Sequence, residues 1–125
     1  MSGRTETAGT ADTTSAPERA GAGGAAFRVV LDIRVRPGSE AEFERAWLEV
    51  AEGIARHPAN RGQRLLRDAE DDGAYYVFTD WTDESSFREF EVSPEHARNL
   101  ARLRPYRNGG SMRTMRVVYE LAGAR

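Results

Sequence analysis

The side chains with the clearest chemical capacity lie in the second half of the chain. Trp81 ends an aromatic run, where an indole can stack on a flat molecule while its N–H donates a hydrogen bond. His96 is the one good general base near neutral pH downstream of it. Tyr75 and Tyr76 are adjacent, so on a strand they face opposite sides and at most one lines a given pocket. Arg98, Arg102, Arg104 and Arg107 form a basic stretch suited to an anionic ligand or to an acidic acyl carrier protein. Arg107, beside Tyr106 and a Gly-Gly pair, is the member to test. Asn60 adds an amide in the loop before a strand. Each has an ordinary reading beside it. Trp81 serves equally as a core aromatic, His96 as an exposed helix residue, Asn60 as a turn residue and the arginines as a solvated face. His57, at a helix end, suits the helix dipole.

Composition removes several other chemistries. The 125 residues contain no Cys, which excludes disulfides, thiolate zinc sites and cysteine nucleophiles and points to the cytoplasm. Two His with no HExxH-type spacing argue against a metal, and no Gly-rich nucleotide fingerprint is present. With 18 basic and 20 acidic side chains the net charge is -2, which does not favour nucleic acid. No apolar run reaches the roughly 20 residues that span a bilayer, and the polar N-terminus does not read as a secretory signal.

The elements that must position these groups follow from periodicity. Met1 to Ala26, rich in Gly, Ala, Ser and Thr and without an aromatic residue, reads as a disordered tail, leaving 27–125 as one domain. From Phe27 to Val35 apolar and polar residues alternate, as on a half-buried strand. Pro37-Gly38 ends it, and Ser39 with Glu42 reads as a capping box. Phe43, Trp47, Val50, Ala51 and Ile54 then give a helix one apolar face, closed by His57-Pro58. Gln63 to Arg67 is a short strand, followed by a polar turn ending at Gly73. Ala74 to Thr82 is a strand with Tyr75, Val77, Thr79 and Trp81 on one side and Tyr76, Phe78 and Asp80 on the other. Asp83 caps a helix containing Phe87, Phe90 and Val92, and Ser93-Pro94 starts another. Asn108-Gly109-Gly110 is expected as a loop, and Met115, Val117, Tyr119 and Leu121 as the last strand.

This order predicts an α+β ferredoxin-like split unit, four antiparallel strands with helices on one face. The strand around Tyr76 and Phe78 is apolar on both sides, so the uncovered face predicts a homodimer, a dimeric α+β barrel.

The run from Tyr75 through Trp81 to Phe87 resembles the third strand and following helix of the antibiotic-biosynthesis monooxygenase superfamily: an aromatic strand ending in Trp, polar residues, then a helix aromatic. The resemblance extends over roughly Phe27 to Leu121. The stretches His57 to Gly62 and Pro105 to Met112 look like its aromatic-polyketide-associated subgroup in actinomycetes. What this implies is oxygenation without a cofactor. An anthrone-type polycyclic phenol loses a proton, its anion reduces O2 directly, and a dry flat pocket holds it. The resemblance supplies Trp81; residue type and position add His96 and Tyr76 as catalytic candidates, with Tyr75, Asn60, Phe87 and Arg107 expected against the substrate. Two positions depart from it. Anthrone oxygenases of this type carry Asn four residues before the Trp, where this chain has Val77, and one has Tyr where this chain has Phe87. The haem-degrading branch fits less well, since Leu31 and His96 are the nearest candidates for its Asn and its axial His. Two rivals stay open: a polyketide cyclase using a base such as His96, and a non-catalytic partner that binds an intermediate for a larger oxygenase.

Overall fold

The computed structural model describes residues 27–124, so the expectation for Met1 to Ala26 lies outside the described residues. The elements are β1 (Phe27–Val35), α1 (Glu40–Ile54), β2 (Asn60–Arg67), β3 (Ala74–Trp81), α2 (Glu84–Glu91), α3 (Pro94–Leu103), a 3-10 turn (Arg104–Tyr106) and β4 (Arg107–Arg116). The sheet order is β2-β3-β1-β4 and every neighbour is antiparallel. β1 and β2 therefore run parallel with β3 between them, and β3 and β4 run parallel with β1 between them. These are the two split βαβ units of a ferredoxin-like α+β fold.

The alternation along β1 does what its period requires. Phe27, Val29, Ile33 and Val35 are buried toward the helices, opposite Tyr75, Val77, Thr79 and Trp81 of β3. Phe43, Val50 and Ile54 of α1, Phe87 and Phe90 of α2 and Leu103 of α3 close the same core. On the outer face Arg28 forms a two-pronged pair with Asp80 at 2.6 and 2.9 Å, directly across the ladder. That face also carries Tyr76, Leu66 and Met115, all exposed.

Both later caps form as their residue types demand. Asp83 Oδ1 accepts from Ser86 N at 2.8 Å, and Ser93 Oγ accepts from His96 N at 3.1 Å. Ser39 does not cap through its side chain. Glu40 instead turns back to accept from Gly38 N at 3.0 Å, and Gly38 holds the tight turn at a φ of 88°. Val92 is not a core residue of α2 but its exposed C-cap.

The largest departure is β4. Asn108, Gly109 and Gly110 lie within the strand, where the register slips between Arg34 and Val35 and leaves Asn108 as the extra residue of a bulge. Gly110 passes so close to β1 that a Cβ there would overlap the Asp32 carbonyl oxygen. The strand ends at Arg116, paired with Phe27. Val118, Tyr119 and Leu121 are consequently more than 80% exposed instead of alternating on a sheet. β2 is longer than its apolar core suggests, starting at Asn60 with a register shift before Gly62. No helix among the described residues is long and apolar enough to cross a membrane.

Candidate functional site

Between the inner face of the sheet and the helices lies a cavity of about 80 Å³. Most of its wall is aliphatic or aromatic: Val29, Leu31 and Val77 from the sheet, Trp47 and Ile54 from α1, Phe87 and Phe90 from α2. Six residues bring polar atoms to it, namely Trp81, Thr79, Gln63, His96, Asn99 and Arg107. An apolar chamber with few polar groups is the usual form of a small-molecule site, although such sites run to roughly 300–1,000 Å³.

Trp81 and His96 border this one cavity. Trp81 is 1% exposed, and its Nε1 donates to Thr79 Oγ1 at 3.0 Å. Phe90 stands beside both, its ring centroid 5.2 Å from that of Trp81 and 5.1 Å from the His96 imidazole. Burial among these rings lowers the His96 pKa from its ordinary 6.5, outweighing the upward pull of Glu91. The imidazole is therefore neutral at pH 7 and ready to accept a proton. Phe87 packs against Trp81 at 5.7 Å and against Phe27 at 5.9 Å, so it forms cavity wall. Arg107, the first residue of β4, also lines the cavity.

Three expected site residues lie elsewhere. Tyr76 points from the outer face of the sheet, because the two-residue period of β3 sends it away from Trp81. Tyr75 faces the helices but sits at the opposite end of β3, edge-on to Phe43 at 5.0 Å, where its hydroxyl donates to Glu44 Oε2 at 2.5 Å. Burial and the Glu44 carboxylate push its pKa up to about 12. Asn60 is a strand residue, not a loop residue, and its Nδ2 donates to the Asp80 carbonyl at 3.3 Å. Neither tyrosine and not Asn60 lines the cavity.

The basic stretch divides. Arg98 and Arg102 face a polar groove of about 480 Å³ between α1 and α3, while Arg107 faces the cavity and Arg104 lines neither. The groove is spanned by two clasps, His57 Nε2 to Glu95 Oε1 at 2.9 Å and an Arg102–Glu49 ion pair. His57 is thus more than a helix end, for its ring also packs on Phe90 at 5.2 Å. Val50 and Asn99 line both groove and cavity and form the partition between them.

Thr79, Gln63 and Asn99 were not among the expected site residues. Thr79 shares a face with Val77 and Trp81, and Gln63 pairs opposite Thr79, where its Nε2 donates to the Ala51 carbonyl at 2.8 Å. Asn99 lies one helical turn beyond His96, so spacing alone puts them on one face of α3. No group of three or more His, Cys, Asp or Glu among the described residues is placed to hold a metal ion.

A four-stranded ferredoxin-like sheet roofed by helices over an apolar chamber defines a small α+β class of protein. Residues 26–102 match the family model for antibiotic biosynthesis monooxygenase, and the chain belongs to that family. Two structures of SnoaB, a cofactor-independent oxygenase from Streptomyces nogalater, superpose with TM-scores of 0.72 and 0.71 at 25% identity, covering 80% of this chain and 100% of theirs. An antibiotic biosynthesis monooxygenase described as putative, from Caulobacter crescentus, shares the fold with a TM-score of 0.69 at 22% identity, over 76% of this chain and 92% of that one. Protein SchA of Streptomyces halstedii is 26% identical over 102 residues, 82% of this chain. The match spans 27% of the length of SchA.

Proposed function

We propose that this chain is a cofactor-independent monooxygenase of antibiotic or pigment biosynthesis, converting an anthrone-type polycyclic phenol to a quinone. The observation that carries the reading is the shared cavity of Trp81 and His96, largely apolar and furnished with an imidazole whose pKa burial lowers. Family membership and the likeness to SnoaB support the same class of reaction.

The chemistry needs little from the protein beyond position and polarity. His96 accepts a proton from the acidic ring methylene, and the resulting anion spreads its charge onto the ring oxygens. That anion gives an electron to O2, and the two radicals combine to a carbon-bound peroxide that takes a proton. Loss of water leaves a carbonyl, so the ring methylene and O2 become a ring carbonyl and water, with every electron drawn from the substrate. Trp81 and Phe87 stack on the rings while the Thr79 hydroxyl and Arg107 stabilise developing negative charge. Tyr75, Tyr76 and Asn60 have no part in this arrangement.

A polycycle is larger than 80 Å³. Its entry requires the cavity walls to part, and α3, with Leu103 as its one buried residue, contributes the least buried of the helical walls. The outer face, where Val30, Leu66, Tyr76, Phe78 and Met115 lie among Arg64, Arg113 and the Arg28–Asp80 pair, offers a mixed apolar and charged surface for a second copy packed sheet to sheet.

Purified protein with 1,8-dihydroxy-9-anthrone should consume one O2 per anthrone and place one atom of labelled oxygen in the new carbonyl. Val77 favours the cyclase as second reading, because no amide stands on β3 before Trp81. Product formed from a poly-β-ketone in the absence of oxygen would establish the cyclase. Binding without either product would leave the non-catalytic partner.

A further inference from the structure

We infer that Asn99 is the residue by which the cavity recognises an oxygen atom of its ligand, its amide N–H donating to a ring carbonyl or phenolate. The inference rests on reading this cavity as the substrate site.

Asn99 Nδ2 is buried and has no hydrogen-bond partner, alone among the buried side-chain polar atoms of the described residues. Leaving such a donor unpaired is costly, and folded proteins rarely do so without a use for the group. Of the other donors nearby, Trp81 Nε1 is taken by Thr79 and Gln63 Nε2 by the Ala51 carbonyl, while Thr79 Oγ1 is already engaged as an acceptor and keeps only its proton free. His96 is held toward its neutral form by burial, and Arg107 comes from β4.

Position strengthens the case. His96, Asn99, Leu100 and Leu103 repeat at helical spacing, and all four line the cavity. An acceptor oxygen held by Asn99 therefore lies one turn of α3 from the base, on the same wall. The Asn99 N–H would stabilise the negative charge that such an oxygen takes up when His96 removes a proton nearby. A site whose buried donor must be satisfied discriminates against analogues that lack the matching oxygen.

The test compares two small bicyclic ligands, 1-indanone and indane, which differ by one carbonyl oxygen. Ligand-observed NMR titration of the native protein should show a clear preference for indanone. Asn99→Leu, which keeps the branched shape and the four side-chain heavy atoms without the donor, should reduce the indanone-to-indane affinity ratio about 5- to 100-fold. Its Tm should hold or rise, since an unpaired buried donor has been replaced by an apolar group. Asn99→Asp, an acceptor in the same shape, should lose indanone as well. An unchanged ratio in both variants, or a native protein that does not prefer indanone, overturns the assignment. If indanone is preferred through Asn99 but no anthrone is oxidised, the oxygenase reading fails and the recognition site stands.

Discussion

Thr79 accepts the indole hydrogen bond of Trp81 at 3.0 Å, and this leaves the Thr79 hydroxyl proton without a partner among the described residues. The indole is thus not itself the donor to a substrate. It polarises a hydroxyl that lines the cavity two residues earlier on the same strand face. Trp81→Phe and Thr79→Val should each keep the fold and lower kcat/KM for anthrone oxidation about tenfold to a hundredfold, or roughly 1 to 3 kcal/mol. Because the two groups act as one chain, the double variant should lose little more than either single one. Fully additive losses would separate the two side chains.

The lowered pKa of His96 sets the acid side of the pH profile. The neutral imidazole is the active form, so kcat/KM should fall as pH drops through a value below 6.5. His96→Ala should cost about 10² to 10⁴ in rate and abolish that limb. Stability follows the same sign. The unfolded imidazole binds its proton more readily than the folded one, so the contribution is present above pH 6.5 and lost as pH falls through the folded value. Chemical denaturation of native protein and His96→Ala across this range would show the difference. A rate limb that survives in the variant assigns the base elsewhere.

Tyr75 should matter to stability and not to catalysis. Tyr75→Phe removes a hydrogen bond to Glu44, whose carboxylate is half exposed and regains water, so a loss of about 1 kcal/mol is expected. With its pKa raised to about 12, the phenol contributes stability that is whole below pH 10 and fades as pH climbs through the folded value. Urea unfolding at about pH 8 and pH 11 reads both effects. A large fall in anthrone turnover with unchanged Tm would return Tyr75 to the site.

Tyr76 gives the test of the outer face. Native protein at micromolar concentration should sediment at twice the chain mass, and Tyr76→Glu should shift it toward the monomer by burying a charge in an apolar interface. A native protein that sediments as a monomer refutes the sheet-to-sheet pairing.

Much of the architecture was legible because β1 and β3 alternate cleanly and because Asp83 and Ser93 are strong caps. The placement of Trp81 and Phe87 on the cavity side follows from the same periods. β4 was not legible, since a Gly-Gly pair reads as a loop and its true cause, a close pass under the Asp32 carbonyl, is visible only with both strands in place. Ser39 does not cap through its side chain because its backbone, at φ -101° and ψ 7°, lacks the extended conformation that Asp83 and Ser93 adopt. At the site, Tyr75 and Tyr76 attracted attention by residue type, whereas Thr79 and Asn99 are ordinary types whose significance comes from what they do or do not touch. Such information is a property of the packed interior and has no counterpart in local pattern.

The Ser93 hydroxyl accepts from His96 N and donates to the Phe90 carbonyl at 2.6 Å. One side chain thereby locks the joint between the aromatic wall and the first turn of α3, upstream of Asn99, Leu100 and Leu103. The His96 backbone is fixed by this cap, while the far end of the helix is held by buried Leu103 and the Arg102–Glu49 ion pair. For protein engineers this leaves positions 99 and 100, between the two anchors, as the wall residues whose selectivity can be diversified without touching either one.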